Sequence, residues 1–136
     1  MAFTLEYLRD FSLLTGAKCV ARIRDSRIPI VLERIGLLPE EAVTLNVADA
    51  YAGRRVSRKV RIPESSSAQH REVRLDRATR EAMAVILESN VEAGYPLHPG
   101  APLFIEFEAG CGTPGQRLSA VRLRQILEGL QAAPSA

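Results

Sequence analysis

The residues best suited to chemistry in this sequence do not form a known catalytic or metal-binding pattern. His70 and His98 have no partners at metal-ligand spacing. The three serines at 65–67 lack the flanking glycines of a Gly-x-Ser-x-Gly nucleophile. The glycine-rich stretch 110–115 lacks the Lys-Ser/Thr pair of a phosphate-binding loop. The sequence therefore predicts no catalytic residue, no bound metal and no cofactor.

Positive charge is concentrated in one segment. Residues 54–80 carry a net charge of +6, residues 81–116 carry −5, and the whole chain carries +2. Most basic residues are arginines, which suit bidentate contacts with phosphate. A solvated strand face, or the arginine-rich composition of a GC-rich genome, would give the same pattern. The candidate DNA contacts are Arg54, Arg55, Arg58, Lys59, Arg61, Arg71 and Arg74, joined by Arg122 and Arg124 from the last predicted helix.

Length and composition indicate one globular domain. With 136 residues, 46% of them hydrophobic and 25% charged, the chain can bury a core without disulfides or metals. We expect a single domain over residues 1–130 and a frayed tail over 131–136. No apolar run reaches the roughly 18 residues of a membrane span, and no signal peptide is visible at the N-terminus. Cys19 and Cys111 form no disulfide framework, so we expect a cytoplasmic protein without membrane contact.

Hydrophobic spacing predicts three helices in the first third of the chain. The first covers residues 4–14 and ends at Thr15 and Gly16. The second starts near Asp25 or Ser26, which places Pro29 in its first turn, and it ends at Gly36. A short third helix starts at Pro39.

The rest of the sequence predicts a hairpin followed by two helices. After a turn at 51–53, residues 54–62 and 70–75 alternate apolar and basic side chains, which indicates two antiparallel strands joined by a loop. Asp76 is positioned to cap a helix over 77–93 whose inner side includes Ala78, Ala82 and Ile86. A short extended segment at 103–108 and a last helix capped by Ser119 follow. The predicted fold class is α+β, mainly helical with one small antiparallel hairpin.

The order of these elements resembles the first half of the catalytic domain of tyrosine recombinases, the phage integrase family. Its Leu-Thr-x-Glu-like opening is matched by residues 3–6, and its Arg-Asp helix start by Arg24 and Asp25. Its pattern Gly-Leu-Arg-x-x-Glu-x-x-x-Leu-x-x-x-Asp is matched from Gly36 onward. The matching positions after that glycine are Leu37, Glu41, Leu45 and Asp49. Later matches are Leu103 with Phe104, and Leu118 with Ser119.

The resemblance implies DNA transesterification, but this sequence lacks the residues for it. In the family, a tyrosine attacks a DNA phosphate, two arginines stabilise the developing charge, and a hairpin lysine and histidines move protons. Leu38 stands at the first arginine position, and the loop 63–69 has no lysine. The His-x-x-Arg and nucleophilic tyrosine would follow the last helix, whereas the tyrosines present all precede it. We therefore expect no recombinase catalysis from this chain.

Three functions remain open from the sequence. The first is a non-catalytic DNA-binding protein that regulates transcription or recombination at a mobile element. The second is a protein-interaction module that forms a homodimer or binds a full-length recombinase. Its interface would be the apolar side of the last helix, with Leu123, Ile126 and Leu130. The third is a split recombinase completed by another chain. This function is disfavoured because Leu38 stands where the family has its first catalytic arginine.

Overall fold

The computed structural model describes residues 17–63, 70–108, 110 and 112–132. Within them the chain forms five helices and two antiparallel two-stranded sheets, which confirms the predicted α+β class. The helices are α1 (Ala17–Ile35), α2 (Pro39–Ala42), α3 (Val47–Ala50), α4 (Arg77–Glu92) and α5 (Ala120–Ala132). The strands are β1 (Tyr51–Ala52), β2 (Arg55–Val56), β3 (Lys59–Pro63) and β4 (His70–Arg74). The helix expected at 4–14 lies outside the described residues, as do residues 133–136 of the expected tail.

The start of α1 corrects the sequence prediction. The helix begins at Ala17, so Asp25 and Ser26 lie inside it and Pro29 is an interior residue. Neither side chain caps the helix, because the Asp25 carboxylate accepts a hydrogen bond from Arg24 and the Ser26 hydroxyl donates to the carbonyl of Ile23. Ile28 before Pro29 and Val31 after it are fully buried, and α1 packs along α4. Tertiary packing thus maintains a helix that proline alone would interrupt.

The end of α1 and the start of α2 agree with the sequence. Gly36 adopts a φ of 81°, a conformation that suits glycine, and the N–H groups of Gly36 and Leu37 both donate to the carbonyl of Leu32. Pro39 occupies the first turn of α2. The backbone N–H of Leu38 donates to the Glu41 carboxylate at 3.1 Å. These bonds fix the direction in which the chain leaves α1.

The basic segment forms two hairpins rather than one continuous strand from 54 to 62. β1 pairs with β2, with Tyr51 opposite Val56, and the intervening turn is Gly53–Arg54, where φ is 61° and 66°. Both turn residues are left-handed, the geometry of a two-residue hairpin that follows the natural twist of its strands. β3 pairs with β4 from Lys59 opposite Arg74 to Pro63 opposite His70. The second hairpin therefore matches the predicted pairing, with residues 64–69 outside the described chain.

The last two helices begin at the predicted caps. The Asp76 carboxylate accepts from the Thr79 N–H at 2.7 Å, and the Ser119 hydroxyl accepts from the Arg122 N–H at 3.0 Å. The expected inner side of α4 is correct at Ala82 and Ile86, which are buried, but wrong at Ala78, which is exposed. α5 extends two residues into the expected tail.

The core lies where α1, α4 and α5 meet the inner faces of the second hairpin and of the segment 103–105. Ile28, Val60, Met83, Phe104 and Leu123 are among its most deeply buried side chains. The connection 94–102 is irregular, as predicted, and it is tied to α3 by hydrogen bonds from the N–H groups of Val47 and Ala48. No described helix is long and apolar enough to cross a membrane.

Candidate nucleic-acid interface

The second hairpin and the residue that leads into it carry four exposed cations, Arg58, Lys59, Arg61 and Arg74, which we call the hairpin cations. Val60 and Ile62 of β3 point into the core, so the alternation of the strand sends Lys59 and Arg61 to the solvent. In the antiparallel register, Lys59 lies directly opposite Arg74. Arg58 immediately precedes β3, and its carbonyl accepts from the N–H of Leu75 at 2.8 Å. The core thus determines which side chains of the hairpin face outward.

The hairpin cations form no salt bridge with any residue that the structure describes. Glu72 lies opposite Arg61 but does not come within ion-pair distance of it. Directly opposed like charges destabilise an antiparallel pair. The pairing of Lys59 with Arg74 therefore does not stabilise the fold, and no carboxylate in the described part of the chain forms an ion pair with either side chain.

Arg71 lies on the other face of the hairpin. It stands opposite the buried Ile62, and its guanidinium forms a salt bridge of 3.5 Å with Glu41. Arg71 and Arg74 are three residues apart on one strand, so their side chains point to opposite faces of the hairpin. The structure thus separates Arg71 from Arg74, and its predicted DNA contact stays a prediction.

Arg54 and Arg55 belong to a different surface from the hairpin cations. They lie in the first hairpin and line a cavity of about 520 Å³ together with Arg77 and Arg80 of α4. The sequence placed all these arginines in one basic segment. The structure separates them because the strand predicted at 54–62 folds back on β1 before β3 begins.

The arginines of α5 are paired with carboxylates. Arg122 donates from Nε to Glu106 Oε1 at 2.7 Å, lies 3.7 Å from Glu108, and has a side chain only 17% exposed. Arg124 forms a salt bridge with Glu40 of α2. Both arginines would have to give up these partners to contact DNA, so the prediction that they do so gains no support from their surroundings.

The predicted protein interface on α5 is also corrected. Leu123 is completely buried and Ile126 nearly so, both inside the core of this chain. Leu130 is half-buried and lines a groove with Leu127 and Pro29. The apolar side of α5 covers the core of its own domain, and of the three residues only Leu130 remains accessible.

A buried polar cluster was not foreseen from the sequence. Arg24 is 1% exposed, and its guanidinium contacts Asp25 at 2.7 Å, the carbonyl of Ile105 at 2.6 Å and the ring of Phe107 at 4.0 Å. The spacing of Arg24 in the sequence could have indicated its burial, because Arg24 lies four residues after Val20 and four before Ile28 on the buried side of α1. An arginine in such a stripe indicates an internal partner.

Burial and charge shift the titration of this cluster. Burial lowers the pKa of Arg24, against the attraction of Asp25, and raises the pKa of Asp25, against the attraction of Arg24. Burial would also raise the pKa of Glu106, but hydrogen bonds from Arg122 and from the N–H groups of Glu108 and Phe107 outweigh it and hold that pKa below its ordinary value. The cluster joins α1, the 105–108 segment and α5.

The described residues contain no arrangement that indicates catalysis by metal. They hold no group of three or more histidine, cysteine, aspartate or glutamate side chains able to bind an ion. Leu38, at the first arginine position of the recombinase pattern, is 63% exposed and offers no charge to a phosphate. Cys111 and the side chain of His70 lie outside the described part.

Comparison of this chain with known proteins identified no related family, protein or structure. No protein-family model matches the chain, and no curated protein or solved structure matches it. The resemblance to tyrosine recombinases thus remains a prediction from sequence motifs.

Proposed function

We propose that this protein binds duplex DNA through phosphate contacts made by the hairpin cations, without catalysing a reaction on it. The observation that carries the proposal is the pairing of Lys59 opposite Arg74 on an exposed sheet face, with no described carboxylate to neutralise either. A polyanion that lies across the hairpin would contact both strands at once.

The distribution of salt bridges supports this surface over the others. Arg24, Arg34, Arg71, Arg122 and Arg124 each have a carboxylate partner. Among residues 17–63, 70–108 and 112–132, the hairpin cations have no such partner, although they are close to one another in sequence and register. Charge that is unpaired and clustered attracts a polyanion more strongly than charge that is neutralised within the protein.

The chemistry of the surface predicts the type of binding. Three of the four hairpin cations are arginines, whose planar donors match phosphate oxygens. Contacts of this kind set position and affinity but read no base sequence. The proposal is therefore for mainly sequence-independent binding, in keeping with the regulatory role at a mobile element that the recombinase resemblance implies.

The test is fluorescence anisotropy with a labelled random-sequence duplex between about 50 and 300 mM salt. Four phosphate contacts predict a slope of about −3.6 for the logarithm of the binding constant against that of salt concentration, and the double variant Lys59→Gln with Arg74→Gln should reduce its magnitude by about 1.8. Arg22→Gln removes an exposed charge from α1 and is the matched control, with an unchanged slope expected. A double variant that binds with the wild-type slope would overturn the assignment of the hairpin.

A further inference from the structure

An apolar groove lies where α1, the start of α2 and α5 meet. It has a volume of about 390 Å³, and its lining includes Pro29, Leu32, Leu37, Leu127 and Leu130. Leu32 and Leu37 are buried, whereas the other three residues are half-buried and remain accessible. The groove therefore offers a partner apolar surface that the fold leaves open.

Leu38 is an exposed apolar residue beside this groove. It is 63% exposed, and its neighbours in sequence, Leu37 and Pro39, both line the groove. Its backbone N–H donates to the Glu41 carboxylate at 3.1 Å, which holds the turn that presents the side chain. A single exposed leucine is ordinary on a protein surface. A patch that contains both a projecting leucine and an apolar groove, however, is complementary to a copy of itself across a two-fold axis.

The charges around the patch are also complementary to a second copy. Glu33 lines the groove, is exposed, and forms no salt bridge with a residue that the structure describes. Arg124 lies near Leu38, because it forms a salt bridge with Glu40, two residues after Leu38 in the sequence. A copy whose Leu38 enters the groove therefore brings its Arg124 towards Glu33, and a two-fold axis forms the same contact twice.

We propose that two copies of this chain form a two-fold dimer, in which Leu38 of each copy packs into the groove of the other. Glu33 of each copy pairs with the partner's Arg124 at the edge of that groove. This interface differs from the one expected from the sequence, because Leu123 and Ile126 are buried in the core of their own chain. The inference does not depend on the hairpin cations or on DNA binding.

Sedimentation velocity over a range of about 1 to 300 µM tests the proposal, and we expect a monomer–dimer equilibrium with a Kd of about 10 µM or below. Leu38→Glu should weaken the dimer at least about tenfold, and its circular dichroism should stay that of the wild type because the side chain is exposed. Val121→Glu is the matched control, since Val121 is also 63% exposed and does not line the groove. A monomer throughout the range would mean that something other than a second copy occupies the groove, and would overturn the proposal. So would equal weakening by the two substitutions.

Charge reversal provides the sharper readout, because it tests which residues meet across the interface. Glu33→Arg and Arg124→Glu should each weaken self-association about tenfold, since each places like charges together at both contacts. An equimolar mixture of the two variants should associate as tightly as the wild type, because every contact between them joins opposite charges. A mixture that associates no more tightly than the separate variants would overturn the proposed arrangement. Assemblies larger than a dimer would overturn it as well, because a two-fold contact closes on itself.

Discussion

Arg24 and Ile105, 81 residues apart in the chain, are joined by a hydrogen bond of 2.6 Å from the guanidinium Nη1 to the carbonyl oxygen. This contact attaches the 103–108 segment to α1 without any sheet pairing between the two. Because Arg24 is almost wholly buried, its removal would leave the Ile105 carbonyl without this donor and Asp25 without its ion-pair partner. Arg24 is thus a structural residue, although the recombinase resemblance gave it a place in a motif.

We expect Arg24→Gln to lower the free energy of unfolding by about 3 kcal/mol, the scale for breaking a buried ion pair. Arg22→Gln, two residues earlier and exposed, should change it by less than about 0.5 kcal/mol. Urea denaturation of both variants measures the difference. Equal stabilities would show that Arg24 is not buried as described.

Glu106 should make stability sensitive to acid. Its pKa is lowered in the folded state, so the unfolded chain binds the proton more readily. The stabilisation is therefore fully present above the unfolded-state pKa and is lost as the pH falls through the lower, folded-state pKa. Glu106→Gln should cost about 1–3 kcal/mol at neutral pH, through weakened contacts with Arg122. It should also flatten the decline of stability in acid, as measured by urea denaturation from neutral pH to below the ordinary value of 4.5. An unchanged acid slope would contradict the assignment.

Pro29 distinguishes the observed start of α1 from the one expected from sequence. In a helix that begins at Ala17, Pro29 is internal and lacks the N–H that would continue the ladder. Pro29→Ala should therefore stabilise the protein by about 1–3 kcal/mol. Pro39→Ala is the matched control, because proline is favoured in the first turn of α2 and no gain is expected. Thermal melts of the two variants compare the positions, and a neutral Pro29→Ala would favour a helix that begins near Asp25.

Leu123→Ala tests the corrected role of α5. Since Leu123 is fully buried in the core, the substitution should cost about 2–5 kcal/mol of folding free energy. Leu130→Ala, at a half-buried position on the same helix, should cost less. Denaturant unfolding gives both values, and sedimentation velocity on the folded variants reports association separately. A Leu123→Ala protein of wild-type stability that has lost a self-association would restore the interface hypothesis.

Lys59→Glu should separate folding from binding at the second hairpin. It places a carboxylate opposite Arg74, so it should stabilise the cross-strand pair by about 0.2–1 kcal/mol. The same change should weaken DNA binding more than Lys59→Gln, because it adds repulsion from phosphate. Thermal unfolding and anisotropy on one preparation measure both effects. A variant that is more stable and still binds as tightly would contradict the proposed function.

Local signals sufficed for several elements of the fold. The caps at Asp76 and Ser119, the glycine at 36, the proline at 39 and the alternation around Val60 each determine their structure through neighbours in the sequence. The start of α1 could not be found in this way. Asp25 and Ser26 have good capping side chains, but contacts with Arg24 and Ile23 occupy them, and packing against α4 extends the helix across Pro29.

The candidate site was predictable in composition and only partly in geometry. Charge counting identified the basic segment, and period-two alternation correctly sent Lys59, Arg61 and Arg74 outward. It could not show that Arg54 and Arg55 fold back beside α4, or that Arg122 pairs with Glu106. These contacts join residues that are distant in sequence, so they cannot be inferred from the charges counted along the chain.

At position 54, in the Gly53–Arg54 turn, the backbone conformation and the side-chain charge favour different residue types. Glycine or asparagine would adopt its left-handed backbone with less strain, yet only a basic side chain there supplies charge to the cavity. Variants recovered from a heat-challenge library should therefore change toward glycine or asparagine at position 54. An arginine that persists at position 54 in such a library would show that its side chain stabilises the protein by more than the left-handed backbone costs.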